Sequence, residues 1–243
     1  MKSIQFIPTF VQTKNVRTFN SLMDGLLAGR GDQGDERLAC VSGRAGRGKT
    51  RTVQTWAARN GAPYLETVSV WTELDFLRAL CTELGVRQVP HRRGTCFGLC
   101  VDALSGLQLP LFVDEIERFG QRFLEMVRDL AKIANATIVL IGEEELPYLM
   151  KRNRRVWSRT YRSMEFEPIA ASDILLYVSQ TTGLTLSEEA ITTLFAASDG
   201  DLRVVRRDTI NLVQLYHESQ HTDGRIDAAM ATAACRRGLQ GGK

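Results

Sequence analysis

Eight consecutive residues have the types and spacing of a loop that binds nucleoside triphosphates. They read Gly43-Arg44-Ala45-Gly46-Arg47-Gly48-Lys49-Thr50. The glycines let backbone N–H groups curl around phosphate oxygens, at the positive end of the helix that follows. Lys49 then reaches the β and γ phosphates, and the Thr50 hydroxyl ligates Mg²⁺. The run predicts ATP and Mg²⁺ as cofactors, with nucleotide contacts from Gly43, Ala45, Gly46, Arg47, Gly48, Lys49, Thr50 and Arg51.

A second chemical feature is the acidic pair Asp114-Glu115, which ends an apolar run. Asp114 is placed to hold the Mg²⁺ shell, and Glu115 to orient or deprotonate an attacking water. The alternative is that both carboxylates cap a helix beginning near Ile116, since acidic residues suit helix N-termini. With the phosphate loop upstream, the pair favours ATP hydrolysis.

The elements that must position these residues alternate between strand-like and helix-like through the first two thirds of the chain. This alternation predicts an α/β fold, in which a five-stranded parallel sheet is flanked by helices. We predict strands at 38–42, 62–68, 109–113, 136–141 and 163–167. We predict helices at 49–59, 72–85, 95–107, 117–134 and 144–151.

After Pro168 the pattern changes to helices, predicted at 171–181, 187–197, 201–219 and 223–236. The change indicates a nucleotide-binding core over residues 1–168 and a small all-helical lid domain over residues 169–243. A loose stretch is expected from Gly29 to Gly34.

Length and composition set limits on the class of protein. The 243 residues suffice for an α/β domain with a helical appendage. No apolar stretch approaches the roughly 18 to 20 residues that cross a membrane, and no secretion signal is expected. The five cysteines are scattered, which favours reduced, buried thiols over disulfides. We therefore expect a cytoplasmic protein without a membrane partner.

The distribution of charge along the chain is more informative than the net charge. A net charge of +3 is too small to establish a nucleic-acid partner. The stretch from Lys151 to Arg162, however, contains six basic residues and no acidic one. Such a field attracts phosphate or carboxylate partners, and the alternative is a solvated charge run.

Taken together, these motifs resemble those of the AAA+ ATPases, and within them the phage Mu B and TnsC-type transposition ATPases. The resemblance covers nearly the whole chain. Its parts are the segment Phe10 to Val16, the phosphate loop, the Asp114-Glu115 strand, Ile141-Gly142-Glu143, Ser158-Arg159-Thr160 and Gly200-Asp201-Leu202-Arg203.

The resemblance implies that ATP lies between subunits, where an arginine of the neighbour completes the site. Arg159 is the choice for this catalytic arginine, with Arg155 and Arg162 in reserve. The alternative for Arg159 is an ion pair with a local carboxylate such as Glu165.

Two further positions follow from the resemblance. Arg203 corresponds to a lid arginine that faces the γ phosphate of its own subunit, the alternative being a surface residue. The strand at 136–141 should end in a polar residue that senses the γ phosphate. Here Gly142 is followed by Glu143, a departure that leaves this position unassigned.

The resemblance also implies double-stranded DNA as a partner, contacted by loops that face the centre of the assembly. The candidate DNA-binding residues are Trp71 and Thr72, and Arg92 and Arg93. Arginine contacts phosphates without reading sequence. Trp71 is equally suited to the core.

The predicted function is therefore an ATP-dependent, sequence-nonspecific DNA-binding ATPase. It forms a homo-oligomer, a ring or a helical filament, on duplex DNA and presents target DNA to a transposase, and hydrolysis drives disassembly. One alternative is a helicase loader or initiator of the same class. Another is a signalling or secretion-associated ATPase with a protein partner.

Overall fold

A computed structural model describes residues 4–28, 36–219 and 223–240. The stretch from Gly29 to Gly34 that was expected to be loose lies outside these ranges. The described chain forms two compact units. We call residues 21–28, 36–44 and 48–166 the core unit, and residues 4–20, 45–47, 167–219 and 223–240 the lid unit. The division at residue 168 into two domains remains a prediction.

The core unit is built on a five-stranded parallel sheet, which confirms the predicted fold class. Its strands are β1 (Leu38–Ser42), β2 (Tyr64–Glu66), β3 (Leu111–Asp114), β4 (Ile138–Ile141) and β5 (Thr160–Glu165). Their order in the sheet is β2-β3-β4-β1-β5. β1, β3 and β4 are buried along their whole length, as expected for strands covered on both faces. The carboxyl ends of these strands meet at one edge, where α/β proteins bind ligands.

Helices connect the strands. They are α1 (Lys14–Ala28), α2 (Lys49–Asn60), α3 (Glu73–Glu83), α4 (Arg93–Ser105), α5 (Gln121–Ile133), α6 (Leu146–Arg152) and α7 (Arg154–Trp157). A short 3₁₀ helix, Ile116–Arg118, precedes α5. α1 and α7 were not among the predicted elements. None of the helices in the described ranges is long and apolar enough to cross a lipid bilayer.

The lid unit is mainly helical. It contains α8 (Ala171–Thr182), β6 (Thr185–Leu186), α9 (Glu188–Ser198), α10 (Leu202–Glu218), β7 (Arg225–Ile226) and α11 (Ala228–Gln240). β6 and β7 form a parallel pair that the helical pattern did not predict. Two residues per strand are too few to produce an alternating pattern. Leu186 and Ile226 of this pair are buried within the apolar cluster of the lid helices.

All five cysteines are free and buried. Three of them, Cys81 of α3 with Cys96 and Cys100 of α4, lie together, and the sulfur atoms of Cys81 and Cys100 are 3.4 Å apart. Burial raises the pKa of Cys40, in β1, to about 12. These thiols are therefore packing residues of the interior.

Candidate active site

The phosphate loop follows β1, and its backbone conformation requires glycine. Gly43, Gly46 and Gly48 have φ angles of +142°, +82° and +90°, in the region that side-chain-bearing residues rarely adopt. A Cβ atom on Gly43 would also lie 2.7 Å from the carbonyl oxygen of Phe166. The glycines predicted from the motif therefore shape the loop itself.

The tip of the loop, Ala45–Arg47, belongs to the lid unit. The N–H of Leu202 donates to the carbonyl of Gly46 at 2.9 Å, and the Arg47 side chain donates to the carbonyl of Asp199 at 3.0 Å. A Cβ atom on Gly46 would lie 2.1 Å from the Asp201 carboxylate. The start of α10 thus holds the loop tip directly.

Lys49 and Thr50 begin α2, where Gly48 is the N-cap residue. Lys49 is only 9% exposed. Its ammonium group donates to the carbonyl oxygens of Gly43 and Arg44, the second at 3.1 Å. The side chain is therefore folded back over the loop, as phosphate binding requires. Arg51, one residue further on, is exposed.

Asp114 ends β3 and is 1% exposed. Its Oδ2 atom accepts a hydrogen bond from the hydroxyl of Tyr64 at 2.8 Å, and its Oδ1 atom accepts from the N–H of Glu115 at 2.8 Å. Burial and the Asp114 carboxylate raise the pKa of Tyr64, so the phenol remains a donor. Tyr64 was not among the residues predicted for the site, and it joins the site because β2 pairs with β3.

Glu115 has an unusual backbone. Its φ of 59° is in the left-handed region, which is uncommon for a residue without a short polar side chain. Such strain is typical of functional positions. Burial raises the pKa of Glu115, although Arg118 acts in the opposite direction, and the Arg118 guanidinium lies 2.6 Å from the carboxylate. Glu115 is the N-cap residue of the 3₁₀ helix that begins at Ile116, but its side chain makes no capping hydrogen bond there.

The unassigned sensor position is occupied in an unexpected way. A Cβ atom on Gly142, which follows β4, would lie 2.1 Å from Oε2 of Glu117. The Glu117 carboxylate accepts from the N–H of Glu143, and its burial raises its pKa. Its Oε2 atom is buried without a hydrogen-bond partner. The polar group at the end of β4 is thus supplied by Glu117, while the Glu143 side chain is exposed.

The residues of the loop and of the two strands suit ATP with Mg²⁺. Mg²⁺ in nucleotide sites is typically held by one or two protein oxygens together with phosphates and water. Thr50 and the buried Asp114 supply such oxygens. Within the described part of the chain, no group of three or more His, Cys, Asp or Glu side chains forms a metal site by itself. A cation bound here would therefore depend on the nucleotide.

Arg159 lies at the opposite edge of the sheet from the loop. It precedes Thr160, which is in register with Leu38, the first residue of β1. Gly43 follows the last residue of β1, five residues and roughly 16 Å further along the strand direction. The backbone of Arg159 therefore lies at the amino end of the sheet, whereas the loop of its own chain follows the carboxyl end.

Arg203 is the second residue of α10 and is exposed. Its guanidinium donates to the Asp201 carboxylate at 3.0 Å, and Asp201 also caps α10 by accepting from the N–H of Arg203 at 2.7 Å. Because the neighbouring Leu202 bonds to Gly46, α10 presents Arg203 beside the loop tip.

The four DNA-binding candidates differ in their surroundings. Trp71 is partly buried against the core cluster, and the neighbouring Val70 is 82% exposed. The Thr72 side chain caps α3 by accepting from the N–H of Asp75. Arg93 pairs with Glu73, whereas Arg92 is exposed and makes no ion pair with any described residue.

Sequence comparison adds a family match and several relatives. Residues 32–150 match the family described as AAA domain. A Mu-like prophage DNA transposition protein B from Haemophilus influenzae is 28% identical over 210 residues, covering 82% of this chain and 70% of that protein. The ATP-dependent target DNA activator B of Escherichia phage Mu is 28% identical over 141 residues, or 57% of this chain. The chain spans only 43% of the length of that phage protein.

Solved structures agree on the fold. Cdc6p from Pyrobaculum aerophilum superposes with a TM-score of 0.63 at 16% identity, covering 88% of this chain and 65% of that one. The RuvB branch migration motor from Thermotoga maritima gives a TM-score of 0.62 at 17% identity, covering 94% of this chain and 70% of that one. At these identities the likeness concerns the fold alone.

The strand order, the glycine loop with its lysine, and the buried aspartate followed by a glutamate define an AAA+ ATPase. Among sequence relatives, the chain is similar to the transposition protein B of a Mu-like prophage and to the target DNA activator B of phage Mu.

Proposed function

We propose that this ATPase binds duplex DNA without sequence preference in its ATP state, assembles there as a homo-oligomer, and presents target DNA to a transposase. Hydrolysis then releases the subunits. The observation that carries the proposal is the nucleotide site, with Lys49 folded over the loop and Glu115 strained beside the buried Asp114. The names of the relatives, a transposition protein and a target DNA activator, support the choice of DNA and transposase.

Each residue of the site has a separate role in this proposal. The loop from Gly43 to Thr50 would hold the phosphates, and Asp114 with Thr50 would hold Mg²⁺, which supplies charge neutralisation at the phosphates. Glu115 would accept the proton of the attacking water once its carboxylate leaves Arg118. Arg203 would report the γ phosphate to the lid unit through α10.

Assembly follows from the position of Arg159. Because this residue lies at the sheet edge away from its own loop, we propose that it completes the nucleotide site of a neighbouring copy. ATP then stabilises the contact between copies, and its loss weakens that contact. The proposed setting is the cytoplasm of a bacterial or phage-infected cell, where ATP and duplex DNA are both present.

The test is an electrophoretic mobility shift with random duplex DNA, with and without ATP. The unmodified protein should shift the DNA only with ATP, and Lys49→Ala should abolish the shift because the phosphates lose their main cation. Lys132→Ala, an exposed lysine in the last turn of α5, is the matched control and should shift DNA normally. Unchanged DNA affinity in Lys49→Ala would disprove the coupling. No shift by the unmodified protein would favour a protein partner.

A further inference from the structure

The core unit carries two surfaces of opposite charge that do not compensate each other within one chain. The first is a group of three exposed arginines at the junction of α6 and α7, Arg152, Arg154 and Arg155, which we call the arginine corner. The second is the group of three exposed glutamates that follows β4, Glu143, Glu144 and Glu145, which we call the glutamate triplet. None of these six side chains forms an ion pair with a described residue.

The arginine corner surrounds a cavity. An open space of about 380 Å³ is lined by Gln121 and Glu125 of α5, by Asn153 and by the three arginines. Both polar atoms of the Asn153 side chain have partners within the chain: its oxygen caps α7, and its nitrogen donates to Glu125 at 3.1 Å. Oε1 of Gln121 is buried and has no hydrogen-bond partner.

These features indicate the chemistry of the occupant. Three guanidinium groups against one carboxylate favour an acidic ligand. The unpartnered Gln121 oxygen is an acceptor and gains a hydrogen bond only from a group that brings an N–H or O–H donor. A peptide segment that carries carboxylates has both kinds of group. The phosphate backbone of DNA offers no donor to this oxygen.

The two surfaces lie toward opposite edges of the sheet. The glutamate triplet follows the carboxyl end of β4, at the edge where the phosphate loop lies, and the arginine corner directly precedes the amino end of β5. α6 separates the two surfaces by seven residues, about 10 Å of rigid helix. Within one chain the triplet and the corner form no ion pair among the described residues, whereas a second copy placed head to tail can bring them together.

We propose that the arginine corner of one copy receives the glutamate triplet of the next. The contact is heterologous, because different surfaces of the two copies meet, and such contacts generate closed rings or open helical filaments. This proposal rests on the proposed assembly and adds the residues that determine which surface of one copy meets which surface of the next. The contact also brings the Arg159 edge of one copy toward the nucleotide edge of the next.

The test uses two charge-reversed variants, Arg152→Glu with Arg154→Glu, and Glu144→Arg with Glu145→Arg. Assembly is measured by analytical ultracentrifugation with a non-hydrolysable ATP analogue, with and without DNA. Each variant alone should need a protein concentration at least about tenfold higher to assemble, since like charges then face each other. An equimolar mixture should restore assembly, because alternating copies again pair opposite charges at every contact.

Controls carry single charge reversals of the same sign at other exposed positions of the core unit, Arg87→Glu in the turn after α3 and Asp102→Arg in α4. Both should assemble like the unmodified protein. If a reversed variant fails to fold, judged by circular dichroism, the neutral variants Arg152→Gln with Arg154→Gln and Glu144→Gln with Glu145→Gln replace it. Each of these should assemble more weakly than the unmodified protein.

Several results would overturn the pairing. They are normal assembly of either reversed variant or its neutral replacement, and failure of the mixture to restore assembly. A third is loss of DNA binding with ATP by the arginine variant that the equimolar mixture does not restore, which would assign the corner to DNA. The mixing experiment tests the pairing even without DNA, whereas the mobility shift of Lys49→Ala tests the proposed function. The two proposals can therefore fail separately.

Discussion

At the scale of single residues, the site depends on a hydrogen bond that the motifs do not contain. Asp114 is almost completely buried, and its two carboxylate oxygens accept from the Tyr64 hydroxyl and the N–H of Glu115. A buried carboxylate oxygen that loses its donor carries the full cost of its desolvation. We therefore expect Tyr64 to be a positioning residue for Asp114, the proposed Mg²⁺ ligand.

Tyr64→Phe should lower the free energy of unfolding by about 1–3 kcal/mol, the cost of an unsatisfied buried acceptor. Mg²⁺ with ATP should restore part of this loss, because the cation would pair with the same oxygen. Urea unfolding with and without MgATP measures both effects. The control is Tyr148→Phe, at a tyrosine that is 64% exposed. Equal stability of the Tyr64 variant and the unmodified protein would contradict this role.

Residue-level motifs were predictable because their geometry is local. The loop from Gly43 to Thr50 carries its own conformation in its glycines, and Asp114 follows an apolar strand. Tyr64 and the Glu117–Gly142 contact were not predictable, since they depend on which strands are neighbours. Arg118 was three residues from Glu115, but nothing in the sequence indicated the left-handed backbone that brings their side chains together.

At the scale of elements, apolar runs predicted the bounds of buried strands more accurately than those of exposed strands. β1 has the predicted bounds, 38–42. β5 begins at Thr160, three residues before the predicted start, because its exposed residues lack an apolar pattern. α5 begins at Gln121, after the predicted 117, because a 3₁₀ helix and Gly120 precede it. α7 has only four residues, too few for helical periodicity.

The cap of α3 makes stability depend on pH. Hydrogen bonds from the Thr72 backbone and hydroxyl lower the pKa of Asp75 below its ordinary 3.8. A lowered pKa in the folded state means that the cap contributes stability above the ordinary value and loses it as the pH falls through the folded value. In Asp75→Asn, the free energy of unfolding should therefore decrease less steeply as the pH falls into the acid range. The midpoints of urea unfolding at a series of pH values measure this dependence.

A suitable control for this cap is Asp102→Asn, at an exposed aspartate near the end of α4. It should leave the acid limb unchanged. An Asp75→Asn protein whose midpoints fall with acid as steeply as those of the unmodified protein would show that the cap does not contribute. Retained DNA binding in this variant would also separate the cap from the DNA contact predicted for Thr72.

At the scale of the whole molecule, the proposed DNA contacts are to phosphates and must weaken with salt. Arg92 and Arg93 allow a comparison of neighbours, because Arg93 is engaged by Glu73 while Arg92 is exposed. Arg92→Ala should reduce the slope of log affinity against log salt by about one for each bound subunit, uniformly across DNA sequences. Arg93→Ala should reduce it less. Equal slopes for all three proteins would remove this turn from the DNA interface.

The central claim is that nucleotide in the Gly43–Thr50 loop controls the lifetime of assemblies on DNA. The most direct measurement is the dissociation rate of fluorescent protein from duplex DNA after free ATP is removed. Glu115→Gln keeps the phosphate ligands but lacks the proposed base, so its assemblies should persist while those of the unmodified protein disperse. Rapid dispersal of Glu115→Gln with continued ATP hydrolysis would contradict the account.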